Sequence, residues 1–400
     1  MSEHDCDIAI LGGGLAGGLI ALALNRLRPD LKLMLIERGA RMGGEHVWSF
    51  FASDVAPEHQ WLVEPLIAAR WDGYEVRFPG HSRVLDTPYR SILNENLDAE
   101  LRRALPAESL LNETEASDVG QTHVALADGR ILQAGGVIDA RGAAGMPHMT
   151  GGWQRFFGLM LRLERPHGLT RPVVMDAQVE QVDGYRFVYC LPFSATEIFV
   201  EDTYYTDDPA LDVPRLEARL REYAAQRGWT IAEVLREDRG VLPVIGAGDF
   251  AKFWPGASSG PARAGVRAGL MHPLTSYSLP DAVRLAMEIC RLPNLSGAAL
   301  ASASYAWAGV HWQQGKFYRM LTRMLFGAGE PQSRFRMLER FYRLPPALIE
   351  RFYAGRTTRG DMLRIFAGRP PVPVMGALAS LAGGAFMGWG RPPASLEIVS

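Results

Sequence analysis

The stretch Asp7-Ile8-Ala9-Ile10-Leu11-Gly12-Gly13-Gly14-Leu15-Ala16-Gly17 decides the fold. Its apolar start predicts a short buried strand. The glycines then turn the chain into a helix marked by Leu19, Ile20, Ala23, Leu24 and Leu27. Leu31 to Ile36 predicts a second strand, closed by Glu37. Gly12, Gly14 and Gly17 form G-x-G-x-x-G between strand and helix, the context in which this motif binds a dinucleotide. Gly12 permits the tight turn, Gly14 lets backbone approach a pyrophosphate, and Gly17 packs helix against strand. The helix N-terminus offers free N–H groups and a positive dipole end to phosphates. Glu37, about 20 residues beyond Gly17, is spaced to accept from a ribose hydroxyl.

Arg38 and then Arg41-Met42-Gly43-Gly44 follow directly. R-x-G-G after this strand resembles flavoproteins that bind FAD, and a plain nicotinamide dehydrogenase does not need it. Arg38, Arg41, Gly43 and Gly44 therefore join the expected cofactor residues.

The 400 residues, 48% hydrophobic and 22% charged, describe a globular chain of two or three interleaved domains. A net charge of −2 carries no nucleic-acid signal. Residues 301–400 nevertheless hold 13 Lys and Arg against 5 Asp and Glu. Cys6, Cys190 and Cys290 show no C-x-x-C or metal spacing and read as reduced thiols. The start of the chain has no basic n-region, and no run reaches the ~18 apolar residues of a spanning helix. Residues 370–390 come nearest but are rich in Gly, Ala and Pro. A cytoplasmic protein is expected.

Beyond the nucleotide turn, Glu45 to Phe51 sets His46, Trp48 and Phe50 close together. His46 alone reads as a loop histidine as readily as a catalytic one. Trp71 to Leu85 alternates as strands, Ser91 to Leu105 has helical spacing, and Thr122 to Leu132 is a hairpin around Asp128-Gly129. Gly136 to Gly142 reads as a return strand of the first sheet. Phe156–Leu163, Val173–Val182, Tyr185–Leu191 and Ile198–Thr203 predict a mostly antiparallel second sheet. Pro214 to Gly228 predicts a helix, as does the chain from about Asp281, and after residue 300 the sequence is helical. The expected class is α/β: a Rossmann-like FAD-binding domain of glutathione-reductase/hydroxylase type, an antiparallel β-sheet substrate domain and a helical C-terminal region. The boundaries expected are 1–70, 86–150 and 256–300 for the first, 71–85 and 151–255 for the second, and 301–400 for the third.

The chain resembles the bacterial lycopene β-cyclases over nearly its whole length. The resemblance rests on Gly43-Gly44-Glu45-His46-Val47-Trp48-Ser49-Phe50, Val137-Ile138-Asp139-Ala140-Arg141-Gly142, Gly184-Tyr185-Arg186-Phe187-Val188-Tyr189 and Glu201-Asp202-Thr203. Arg267-Ala268-Gly269-Leu270, His272-Pro273, Tyr277-Ser278-Leu279-Pro280 and Arg319-Met320-Leu321 through Phe326 continue it. Asp139, Gly269, Pro273 and Ser276 thereby become cofactor residues. This chain departs from the family at Glu45, where Asn is common, at Ala140, where Gly is common, and at Leu274-Thr275-Ser276, where Thr-Thr-Gly is. If a positive φ is needed at Ser276, flavin binding should weaken or shift.

The reaction implied is a redox-neutral cationic cyclisation of the acyclic ψ-ends of lycopene and related carotenoids. Protonating an alkene needs an acid kept neutral away from water. The resemblance assigns that role to Glu201, with Asp202 supporting it from behind; without it, Glu201-Asp202 reads as two solvated charges at a strand end. Neighbours on a strand point to opposite faces, so only one of the pair should face a pocket. Trp48, Tyr185, Phe187, Tyr189 and Tyr204, with His46, are the residues expected to face the substrate and stabilise its cation; aromatic stripes are also ordinary core. Reduced FAD, supplied by NADPH or NADH, is expected to stabilise charge without net electron transfer. Phe317 to Phe326 alternates Arg with aromatic and aliphatic residues. It reads either as a membrane-surface helix, for peripheral attachment and hydrocarbon entry, or as a helix packed on the core. The alternatives to a cyclase are a flavin monooxygenase or prenyl reductase and, outside enzymes, a flavin-bearing carotenoid-binding protein.

Overall fold

Strand Cys6–Leu11 lies at the middle of a parallel sheet, between Leu33–Ile36 and Ile131–Asp139. Its register pairs Leu11 with both Ile36 and Asp139, so the three carboxyl ends finish level beside the glycine turn. The computed structural model describes residues 4–367 except residue 144, with no side chain for residue 259. The run 370–390 and the rest of the basic tail lie outside the described residues.

Leu110–Leu111 extends this sheet on one side and Ala262–Arg263 on the other, both parallel to their neighbours. The hairpin around Asp128-Gly129 forms, with Gly129 at φ +90°. Helices Leu15–Leu27 and Leu279–Arg291 close one apolar core on the sheet through residues such as Leu19, Ile20, Val283 and Ala286.

The second sheet runs in the order 231–248, 149–163, 197–206, 185–192, 173–176, 74–78, 81–85. It is antiparallel except where Val173–Asp176 meets Tyr74–Phe78. Helix Val213–Gln226 covers one face with Leu216, Leu220 and Tyr223. The C-terminal helices cover the other with Phe317, Phe326, Phe352 and Tyr353. A third sheet, Val47–Phe51, Tyr89–Leu93 and Ile67–Trp71, joins the two large ones.

The structure revises or completes the sequence reading at four points. Ser91 and Ile92 belong to that third sheet, and the helix after them starts at Asn94. The strand expected over Val173–Val182 ends at Asp176, where the Gln181 side chain takes over by donating to the carbonyls of Ala177 and Val179. Ile231–Gly248 is a long strand that its charged first half concealed; it is an edge strand, which tolerates exposed charge and Pro243. Helix Lys316–Gly327 turns its aromatic side inward, with Tyr318, Leu325 and Phe326 buried. Arg319 is buried too, stacked 3.6 Å over Trp312 and donating to the Trp312 carbonyl at 2.7 Å. Of the two readings of this helix, its burial supports the one packed on the core. Among the described residues, no helix is long and apolar enough to cross a membrane.

Candidate active site

The glycine turn has the backbone its sequence predicts. Gly12 holds φ +94°, and a Cβ there would meet the Ala140 carbonyl at 2.9 Å. A Cβ on Gly17 would lie 2.0 Å from the Gly12 oxygen, so the helix can approach the strand only without one. Gly14 stands at the helix N-cap in extended conformation with no side-chain cap, which leaves first-turn N–H groups for an anion. Gly43 has φ +82° and donates to the Gly13 carbonyl at 2.9 Å. Gly44 is also left-handed, while Arg38 and Arg41 are exposed. The Glu37 carboxylate accepts from the N–H groups of Gly13 and Gly39 at 2.7 and 2.8 Å. It therefore braces the turn and keeps lone pairs for a further donor.

Two later segments reach the same turn. Asp139, at the end of the return strand, is clamped by Arg141 through two 2.9 Å bonds and by Arg267 at 3.0 Å. Gly265 crosses so near the first helix that a Cβ would lie 2.8 Å from that of Ala16. Gly269 ends this short helical turn at φ +72°. Pro273 lies further on, and its carbonyl accepts from Ile245 N–H and Thr322, tying the loop to the second sheet. Ser276 does adopt the left-handed backbone, at φ +59°. Its hydroxyl donates to the Pro243 carbonyl at 2.7 Å, which offsets strain of about 1–2 kcal/mol. The cradle that Cβ atoms would fill, the uncapped helix end and Glu37 together fit an FAD.

Beyond Ser276 a cavity of about 120 Å³ opens between the sheets. His46, Trp48, Tyr189, Glu201 and Ser276 all reach its wall. The surface that Glu201 keeps lies in this wall, and its carboxyl is pushed up to about 8 by burial first and by the charge of Asp238 next. Thr203 donates to it at 2.6 Å. At neutral pH the acid is held protonated.

Asp202 and Tyr204 do not reach the cavity, because alternate strand residues face opposite ways. Asp202 turns under helix Val213–Gln226, where Arg186 at 2.9 Å and Tyr204 at 2.7 Å donate to it. It touches Glu201 only through a minor electrostatic effect, weaker than that of Asp238. Tyr185 and Phe187 stack on each other 5.1 Å apart in the aromatic layer behind Tyr189, facing the C-terminal helices. Sequence reasoning missed Asp238, Gln154 and Tyr277, which complete the wall. The edge strand carrying Asp238 was unread, and the phenol of Tyr277 meets that of Tyr189 at 2.6 Å only in three dimensions.

Residues 7–379 match the family model described as lycopene cyclase protein. This chain belongs to the lycopene cyclase family. It is 46% identical to the lycopene beta-cyclase of Pseudescherichia vulneris, over 92% of this chain and 95% of that one. With those of Pantoea ananas and a Paracoccus strain it shares 43% and 44%, over 94% of this chain and 97% of each relative. Among solved structures it resembles a geranylgeranyl bacteriochlorophyll reductase-like protein from Thermoplasma acidophilum, at 12% identity and TM-score 0.58, covering 92% and 96% of the two chains. A tryptophan 6-halogenase from Streptomyces toxytricini gives 15% and 0.57, covering 94% of each. At such identities the likeness is one of fold alone.

Proposed function

We propose that this family member closes the acyclic ψ-ends of lycopene into β-ionone rings, by way of γ-carotene to β-carotene, with Glu201 as the acid. The carrying observation is the placement of the Glu201 carboxyl in the wall of a largely apolar cavity, where burial pushes it up to about 8. An alkene is a feeble base, so an acid facing it must be dry and undissociated. The proton goes from Glu201 to the terminal double bond, leaving a tertiary cation that the neighbouring double bond attacks. Trp48 and Tyr189 offer ring faces to that cation while adding no nucleophile.

FAD belongs in this reading at the turn of Gly12, Gly14, Gly17, Glu37, Arg38, Arg41, Gly43 and Gly44, with Asp139, Gly269, Pro273 and Ser276 on its other side. When bound in reduced form it would supply negative potential beside the cation without net redox change. NADPH or NADH is the proposed electron source. The chain divides, on this reading, into an FAD unit (1–70, 86–150, 256–300), a substrate sheet (71–85, 151–255) and a helical region from 301.

A hydrocarbon substrate reaches the site from a lipid surface, so peripheral membrane attachment is part of the proposal. Its support is apolar exposure on the C-terminal helices: Leu363 at 75%, Val310 at 55% and Phe366 at 44%. Replacing Leu363 and Phe366 with Glu should abolish flotation with liposomes; unchanged flotation would remove this element from the reading.

The deciding experiment supplies lycopene in liposomes with FAD and NADPH, without oxygen, in deuterium oxide. One deuterium per ring and no change in oxidation level is the expected product. Product formed only after air is admitted, carrying oxygen, would mean a monooxygenase instead. Bound but unaltered lycopene would mean a carotenoid-binding protein.

A further inference from the structure

A cyclisation begun by one proton must end by losing another, and the cavity wall holds a second group suited to that step. Gly158, in the strand Met149–Leu163, pairs with Glu201 on one side and with Asp238 on the other. The three positions form one row across adjacent strands, so Glu201 and Asp238 share a face with a bare glycine between them. A Cβ on Gly158 would meet the Phe199 ring at 2.5 Å. The glycine leaves room for that ring, which also lines the cavity.

Asp238 is buried, and both its oxygens are engaged. Oδ1 meets His46 Nδ1 at 3.0 Å, and Oδ2 accepts from the Val47 N–H at 3.0 Å. A neutral imidazole that donates its Nδ1–H to a carboxylate keeps its lone pair on Nε2. Among the described residues that Nε2 has no hydrogen-bond partner, and His46 lies in the cavity wall with Trp48 edge-on at 6.2 Å. Besides Glu201, Asp238 and His46, the polar side chains of the wall are serine hydroxyls, phenols and one amide, all poorly suited to hold a proton. Tyr189 and Tyr277 are phenols pushed up by burial and bonded to each other. The Ser276 hydroxyl is spent on Pro243, and the orphaned Gln154 Oε1 is an amide oxygen, a very weak base.

We propose that His46 is the base that removes the ring proton, and that Asp238 positions it. This rests on the reading of Glu201 as the acid. Glu201 gives its proton to the terminal double bond, and a carbon–carbon bond closes the ring. The C–H bond breaks at the ring carbon bearing the polyene chain. Its electron pair becomes the ring double bond, and the proton passes to His46 Nε2. No electrons enter or leave, and the proton lost by Glu201 equals the one gained by His46; exchange with solvent resets both.

The position of the base then decides the ring type, because the same cation can lose a proton from three neighbouring carbons. His46→Gln and Asp238→Asn should be purified with FAD content and melting temperature compared with wild type, then assayed in deuterium oxide. The expected result for His46→Gln is a fall in rate of at least about 10²-fold. The surviving product should shift towards rings with the double bond displaced to the other ring carbon or to an exocyclic methylene, each still carrying one deuterium. Asp238→Asn, similar in size, should show the same shift with a smaller loss of rate, and serves as well if His46→Gln folds poorly. Labelled product that remains wholly β-ring in both variants, at near wild-type rate, would overturn the base assignment alone. Unlabelled product from the wild type would overturn the acid reading and this one with it.

Discussion

On the proposed reading, Glu201 is the single side chain that decides the chemistry. Glu201→Gln should retain FAD and lose cyclisation by at least about 10²-fold, measured as ring formation in liposomes. Above pH 8 the wild-type rate should fall about tenfold per unit as the carboxyl, pushed up to about 8, ionises. Stability depends on pH with the same sign. The folded protein holds this proton more tightly than the unfolded chain does. The stabilisation is therefore complete below the ordinary glutamate range and is lost as pH rises through about 8. Melting temperature should drop between pH 6 and pH 9 more in wild type than in Glu201→Gln. Ser276 gives a second residue-scale test. Ser276→Ala keeps the left-handed strain and loses the bond to Pro243, costing about 1–2 kcal/mol in denaturant unfolding. Ser276→Gly relieves the strain as it loses the bond and should stay within about 1 kcal/mol of wild type.

At the scale of elements, the helix Lys316–Gly327 shows how an amphipathic pattern misleads when its partner surface is out of sight. Arginines alternating with aromatics suit a lipid surface, yet here the apolar side meets the second sheet. The contact is close, since a Cβ on Gly152 would fall 2.0 Å from the Phe326 ring. Phe326→Ala should therefore cost about 3–5 kcal/mol in unfolding free energy and leave liposome flotation of the folded protein unchanged. A large loss of flotation with stability intact would restore the membrane reading of this helix. The strand Glu197–Thr206 teaches the reverse. Its period of two was legible, and it alone sends Glu201 into the cavity and Asp202 under the helix at 213–226.

At the scale of the molecule, the site is assembled from segments far apart in the chain: 46–50, Tyr89, 154–156, 189–201, 238–242 and 266–280 all reach one cavity. Its dinucleotide end depends on the Gly12 turn, which has no room for a Cβ beneath Ala140. Gly12→Ala should purify with little FAD. Wild type should gain about 2.7 kcal/mol of stability at FAD one hundredfold above its dissociation constant, and the variant should gain far less. Equal thermal shifts for the two proteins would move the cofactor elsewhere.

What the sequence determined by itself is local in origin. Glycine spacing, apolar strand runs and a helical period specify the first βαβ unit, because each rests on backbone geometry within some thirty residues. The ordered motifs from Gly43 to Phe326 likewise carried the family. Tertiary structure alone decided which carboxyl acts on which. Asp202, adjacent in sequence to Glu201, is turned away by the pleat, while Asp238, thirty-seven residues on, faces it across Gly158. Burial and strand register, which raise one carboxyl and engage the other, are properties of the packed sheet and of no single stretch of chain.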